Sequence, residues 1–202
     1  MEIEYPKNIL EYISEIISIF YIISSKKEIN ILLKENIINK LLILFLNYLE
    51  IDKEEKISEI NNEFNVIIKK INKITLNIIQ KSNRDIIYIV LLRLISNFKG
   101  ENDIALLGIN CLVNLIKITD FKKIDSVKIL TEIIICIDDE ELKNDNKTNE
   151  LFLKTIKKLL NKLVLEKKYN ILKDYQMAVN NCNIQDEKVC EWIQKILEHN
   201  KY

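Results

Sequence analysis

The chain has 202 residues and a mass of 23.9 kDa, enough for one ordinary domain or a short repeat array. Its 30 basic side chains balance its 30 acidic ones, so no nucleic acid partner is expected, because wholesale phosphate neutralisation needs a basic excess. Two glycines and one proline nearly exclude β-sandwiches, barrels and Gly-rich phosphate-binding loops, which consume turn residues, and 48% hydrophobic content beside 30% charge points to a folded, water-soluble, all-helical chain.

Roughly forty isoleucines and two dozen asparagines stand out. With lysine, these are the residues that AT-rich codons specify, and the skew reads as genome bias. Isoleucine has a lower helix propensity than leucine, so a propensity tally would vote for strands. Spacing has to decide.

Pro6 stands where the first turn of a helix tolerates it, followed at helical spacing by Ile9, Leu10, Ile13, Ile16, Ile17 and Phe20. Ser24-Ser25-Lys26-Lys27 breaks the pattern, and Ile29 to Leu49 resumes it with an interruption near Glu35-Asn36. After the polar stretch 52–56, an amphipathic segment runs from Phe64 through Ile67, Ile68, Ile71, Ile74 and Ile78 to Lys81-Ser82-Asn83-Arg84. Ser82 or Asn83 can cap the next helix, which carries Ile86, Ile87, Val90, Leu91, Leu94 and Ile95. Gly100 punctuates, Ile104 to Ile118 is the next helix, and Asp125 caps its successor. The polar run 138–149 is expected to be a mobile loop, with Thr148 capping Leu151 to Leu165. Two helices, over 168–180 and 186–199, close the chain.

Helices starting near 8, 62, 103, 148 and 186 recur at about 40 residues, the period of helix-pair solenoids. The expected fold is therefore all-α, a single domain over 1–202 built as an α-solenoid of HEAT- or TOG-like helix pairs with nine to ten helices. A globin-like or bundle packing is the alternative, and the sequence leaves open whether residues 1–60 share the array.

Chemistry-bearing motifs are scarce. The cysteines Cys111, Cys136, Cys182 and Cys190 form no CxxC pair, and neither a signal peptide nor a membrane-length apolar run is legible. Free, mostly buried thiols in a reducing, cytoplasmic setting are expected. The lone His199 has no ligand partner at zinc spacing, the acidic run at 138–141 lacks the oxygen spacing of a calcium loop, and no GxSxG, HExxH or Walker sequence occurs. No catalytic residue, metal or cofactor is assigned, and the chain is not expected to be an enzyme. Trp192 shares a helical face with Val189, Ile193 and Ile196 and reads as a core-capping residue.

Charge is balanced in total but not in place. Turns inside each helix pair are basic, at Lys26-Lys27, Lys81 and Arg84, Lys122-Lys123, and Lys167-Lys168. Turns between pairs are acidic, at Asp52, Glu54 and Glu55, at Glu101 and Asp103, at 138–141, and at Asp186 and Glu187. In a solenoid the two kinds of turn line opposite edges. Every turn holds one helix C-terminus and one N-terminus, so helix dipoles do not produce the alternation. Lys81, Arg84, Lys122, Lys123, Lys167 and Lys168 are the candidate edge for an acidic protein partner.

From Val66 onward the sequence resembles the C-terminal domain of the TOG-domain microtubule polymerases, the ch-TOG and minispindles family. The resemblance lies in the run from Lys70-Ile71-Asn72-Lys73 to Ser82-Asn83-Arg84, in Cys111-Leu112-Val113-Asn114-Leu115-Ile116-Lys117, in Ile124-Asp125-Ser126-Val127-Lys128-Ile129-Leu130, and in Thr155-Ile156-Lys157-Lys158-Leu159-Leu160 with Leu163-Val164. It covers roughly residues 60 to 175 and is diffuse. It implies a TOG-like domain of a microtubule-associated protein, docked by coiled-coil adaptors of the TACC class at spindle poles or centrosomes. Because the family's proteins are far longer, the chain is expected to be part of a longer one. Upstream TOG domains of the family bind tubulin through a tryptophan in the first turn; Ser24-Ser25-Lys26-Lys27 has none, which leaves tubulin and an adaptor both open as the direct partner. A HEAT-type adaptor unrelated to microtubules, a helical enzyme and a structural spacer are the competing readings.

Overall fold

Apolar spacing, rather than the strand propensity of isoleucine, decides the secondary structure. The computed structural model describes residues 7–55, 62–98, 103–137, 146–182 and 186–199. These form ten α-helices and one short 3-10 turn, without a strand among the described residues. The acidic residues Glu101 and 138–141, and most of the expected mobile loop, lie outside them, as do the side chains of Asp52, Glu54, Glu55 and His199. The chain divides into two compact units, 1–83 and 84–202.

The first unit contains α1 (Lys7–Ser24), α2 (Lys27–Leu32), α3 (Glu35–Glu55) and α4 (Asn62–Lys81). Both α1 and α3 pack on α4, and Ile67, Ile71, Ile74 and Ile78 of α4 are buried, as are Ile17 of α1 and Ile38, Leu42 and Phe45 of α3. Phe20 meets Phe45 edge-on with ring centroids 6.1 Å apart. Hydrogen bonds rise in step along α1 and α4: Lys70 Nζ donates to Ser18 Oγ (2.9 Å), Asn77 Nδ2 to Ser24 Oγ (3.4 Å) and Lys81 Nζ to the Ser25 carbonyl (2.9 Å). The two helices therefore run parallel. The break before α2 is held by Asn30, whose Nδ2 donates to the carbonyls of Ser24 (2.7 Å) and Lys26 (2.8 Å).

The second unit contains α5 (Arg84–Asn97), α6 (Asp103–Ile118), the 3-10 turn Phe121–Lys123, α7 (Ser126–Cys136), α8 (Lys147–Lys167), α9 (Asn170–Asn181) and α10 (Glu187–His199). Helix α5 packs on α7 and α7 on α9, while α6 packs on α8 and α8 on α10. Bonds between Asp85 and Asp125, Arg93 and Glu132, and Ser96 and Cys136 keep an offset of 39 or 40 residues, so α5 and α7 are parallel. Ser126 with Asp174 and Cys182 with Thr131 align α7 and α9 in the same way. The offset between α5 and α7 is close to the period of about 40 residues read from the sequence, whereas the bonds between α7 and α9 span 48 and 51 residues. Helix α5 is buried on several sides, at Ile87, Tyr88, Val90, Leu91, Leu92, Leu94 and Ile95.

Two helix starts test the capping rules. Asp125 caps α7 as expected, its carboxylate accepting from Lys128 N. Helix α8 begins at Lys147, earlier than expected, because Asn146 rather than Thr148 is its cap and accepts from Thr148 N at 3.0 Å. An asparagine in extended backbone offers the same acceptor as threonine, and burial of Asn149 draws the first turn into the helix.

Candidate basic edge of the second unit

Three turns of the second unit are joined into one hydrogen-bonded run. At the start of α5, Asp85 Oδ1 accepts from the backbone N–H of Asp125 at 3.1 Å. The next turn is anchored to α5 by Tyr88, whose hydroxyl donates to Thr119 Oγ1 (3.0 Å), and that hydroxyl in turn donates to the Leu115 carbonyl (2.7 Å). Phe121 lies tilted against the Tyr88 ring at 6.1 Å. Beyond it, Lys167 Nζ donates to the carbonyls of Ile124 (2.7 Å) and Lys122 (3.3 Å), and Ser126 Oγ donates to the Asp174 carboxylate. Arg84, Lys122, Lys123, Lys167 and Lys168 therefore belong to one edge. Lys81 belongs to the first unit, where its ammonium reaches the turn that carries Lys26 and Lys27.

The six residues do different things. Lys81 and Lys167 bind carbonyls and hold neighbouring turns together. Lys123 pairs with Asp120 at 3.5 Å, both largely exposed, a contact worth little in water. Arg84 is partly buried, which lowers its pKa below the usual guanidinium value, with Tyr88 acting in the opposite sense. Lys122 and Lys168 are exposed and carry no ion pair among the described residues. Lys168 closes α8 with its N–H on the Val164 carbonyl and has φ 50°, the left-handed region that costs a residue with a Cβ.

Charge counting missed two kinds of residue here. Acids stand inside the basic turns because they cap: Asp120 accepts from Lys122 N, and Asp125 from Lys128 N. Asp186, counted as part of an acidic turn, likewise caps α10 through Lys188 N and Val189 N. Asp-x-x at a helix start was the signal, which the sequence reading used for Asp125 but not for Asp120 or Asp186. The second kind is apolar. Tyr169, 89% exposed, and Leu165 flank Lys122, Lys167 and Lys168 around an open cleft of about 630 Å³. A tyrosine after paired lysines has no local signature.

Other candidate chemistry stays apart from this edge. Cys136 and Cys182 are buried, Cys111 and Cys190 half-buried, and none of the four is joined in a disulfide. Burial pushes the Cys111 thiol up to about 11 and also raises Cys182, to which Cys190 and Glu132 add. Among the described residues no three His, Cys, Asp or Glu side chains converge as metal ligands, and no helix is long and apolar enough to cross a membrane. Trp192 is half-buried beside the buried Val189, Ile193 and Ile196.

The described residues thus form an all-helical chain whose second unit carries bonded turns bearing lysine. No protein-family model matches the chain, and comparison with curated proteins and with solved structures finds no match either.

Proposed function

We infer that the chain is a non-catalytic α-solenoid that docks an acidic protein partner along its basic turns. The single observation that carries this reading is the hydrogen-bonded run of three turns from Asp85 through Asp125 to Lys167, which presents Lys122 and Lys168 outward beside Tyr169. The parallel alignment of α5, α7 and α9 is the arrangement that stacked helix pairs produce. An edge with exposed cations and an exposed aromatic suits a polyacidic surface, since complementary charge raises encounter rates and an aromatic anchor adds contact area.

The partner class rests on the resemblance to the C-terminal domain of the TOG-domain microtubule polymerases. On that reading the chain is a microtubule-associated domain that works in the cytoplasm at the spindle pole, centrosome or an equivalent microtubule-organising centre, and binds a TACC-type coiled coil or tubulin. The test combines microtubule co-sedimentation with pull-down of an acidic coiled coil, for the native chain and for Lys122→Glu with Lys168→Glu. The double reversal should weaken binding by about tenfold or more at low salt and less at high salt, as screening shortens the reach of the charges. Unchanged affinity at low salt removes the edge. Retention of neither microtubules nor coiled coil points to a HEAT-type adaptor with another partner.

A further inference from the structure

Helix α1 is apolar on two adjacent faces, and the fold uses one of them. Ile17 and Ser24 are buried towards the rest of the first unit, with Ile13 and Phe20 half-buried beside them. One face round, Tyr12, Ile16, Ile19 and Ile23 form a second row and are 66%, 53%, 57% and 40% exposed. Their steps of four, three and four residues follow the 3.5-residue period of a seam between two packed helices. Isolated exposed isoleucines need no explanation, but a continuous row does: widened by the exposed Ile22, it presents on the order of 500 Å² of apolar surface, at the upper end for a monomer.

The charges at the ends of the row indicate what covers it. Glu11 and Glu15 are exposed at its start, and Lys26 and Lys27 are exposed just past its end. Such a surface is complementary to itself under a two-fold axis through its middle, because the acidic end of one copy then meets the basic end of the other. Parallel pairing would set like charges together. Two rows face to face bury roughly 1,000 Å², the area at which a specific interface begins.

We propose that the chain forms an antiparallel homodimer through α1, with Tyr12, Ile16, Ile19 and Ile23 packed against the same residues of a second copy and Glu11 and Glu15 opposite Lys26 and Lys27. The proposal is independent of the basic edge of the second unit. Light scattering or sedimentation of the full chain from about 1 µM to about 100 µM should show a monomer–dimer equilibrium. Ile16→Lys with Ile19→Lys should leave the circular dichroism unchanged and give a monomer. Reversing one end (Lys26→Glu with Lys27→Glu) or the other (Glu11→Lys with Glu15→Lys) should each weaken self-association by about tenfold or more. An equimolar mixture of the two reversed chains should recover the native affinity, since opposite charges then face each other only between unlike copies. A native chain that stays monomeric throughout, a mixture no better than its components, or a row that instead captures an added amphipathic peptide overturns the homodimer.

Discussion

Arg93 and Glu132 tie α5 to α7 with a two-pronged ion pair, Nε to Oε1 and Nη2 to Oε2, each at 2.7 Å. Glu132 is buried, its side chain 4% exposed, and it also accepts from the Cys136 thiol at 3.4 Å, while the Arg93 side chain is 49% exposed. The pair is asymmetric: the carboxylate needs the guanidinium more than the reverse. Arg93→Ala should cost about 2–3 kcal/mol, read as a lower urea midpoint, because it strands a buried charge. Arg93→Met combined with Glu132→Leu should recover most of that loss, since no charge is then left buried. The sequence could not single out this acid, which is one of 30. Lysines show the same limit. Lys167 reads as a docking cation but is committed to two carbonyls, which is why Lys122 and Lys168 make the cleaner test of the edge.

Helices were the most legible level. Spacing overrode the strand preference of isoleucine because each helix needs one continuous apolar stripe, and burial of that stripe outweighs tenths of a kcal/mol in propensity. The close approach of α5 to α6 was invisible. Gly108 sits inside α6, where a Cβ would stand 3.0 Å from both Ile95 Cγ1 and Leu94 Cδ2. A glycine within a helix ordinarily weakens it, yet here it lets two helices meet. Gly108→Val should destabilise the protein by about 2–3 kcal/mol through overpacking, lowering the thermal midpoint with helix content at low temperature unchanged. An unchanged midpoint would show that Leu94 and Ile95 can move aside.

At the scale of the molecule, buried ionisable groups set the response to alkali. Burial raises the Cys111 thiol from 9.0 up to about 11 and lifts Cys182 and the hydroxyls of Tyr88 and Tyr175 as well. The folded state holds protons that the unfolded chain releases, so stability should be full below pH 9 and fall as pH rises from about 9 through about 11. Urea midpoints measured across that window check this. Cys111→Ala should make the decline shallower at its lower end, with the tyrosines still acting above pH 10. The division into 1–83 and 84–202 falls in a short turn whose composition matches the other turns, so no linker announced it.

The amino-acid sequence on its own determined that the chain is helical, roughly where each helix lies and that helices recur at about 40 residues, because periodicity and capping act over a few neighbouring positions. Tertiary structure alone decided which lysines face solvent and which bind carbonyls, where Glu132 finds its partner, why Gly108 is tolerated, and that one apolar row of α1 stays uncovered. Each of those depends on residues 13 to 56 positions apart meeting in space, and no local pattern encodes the meeting.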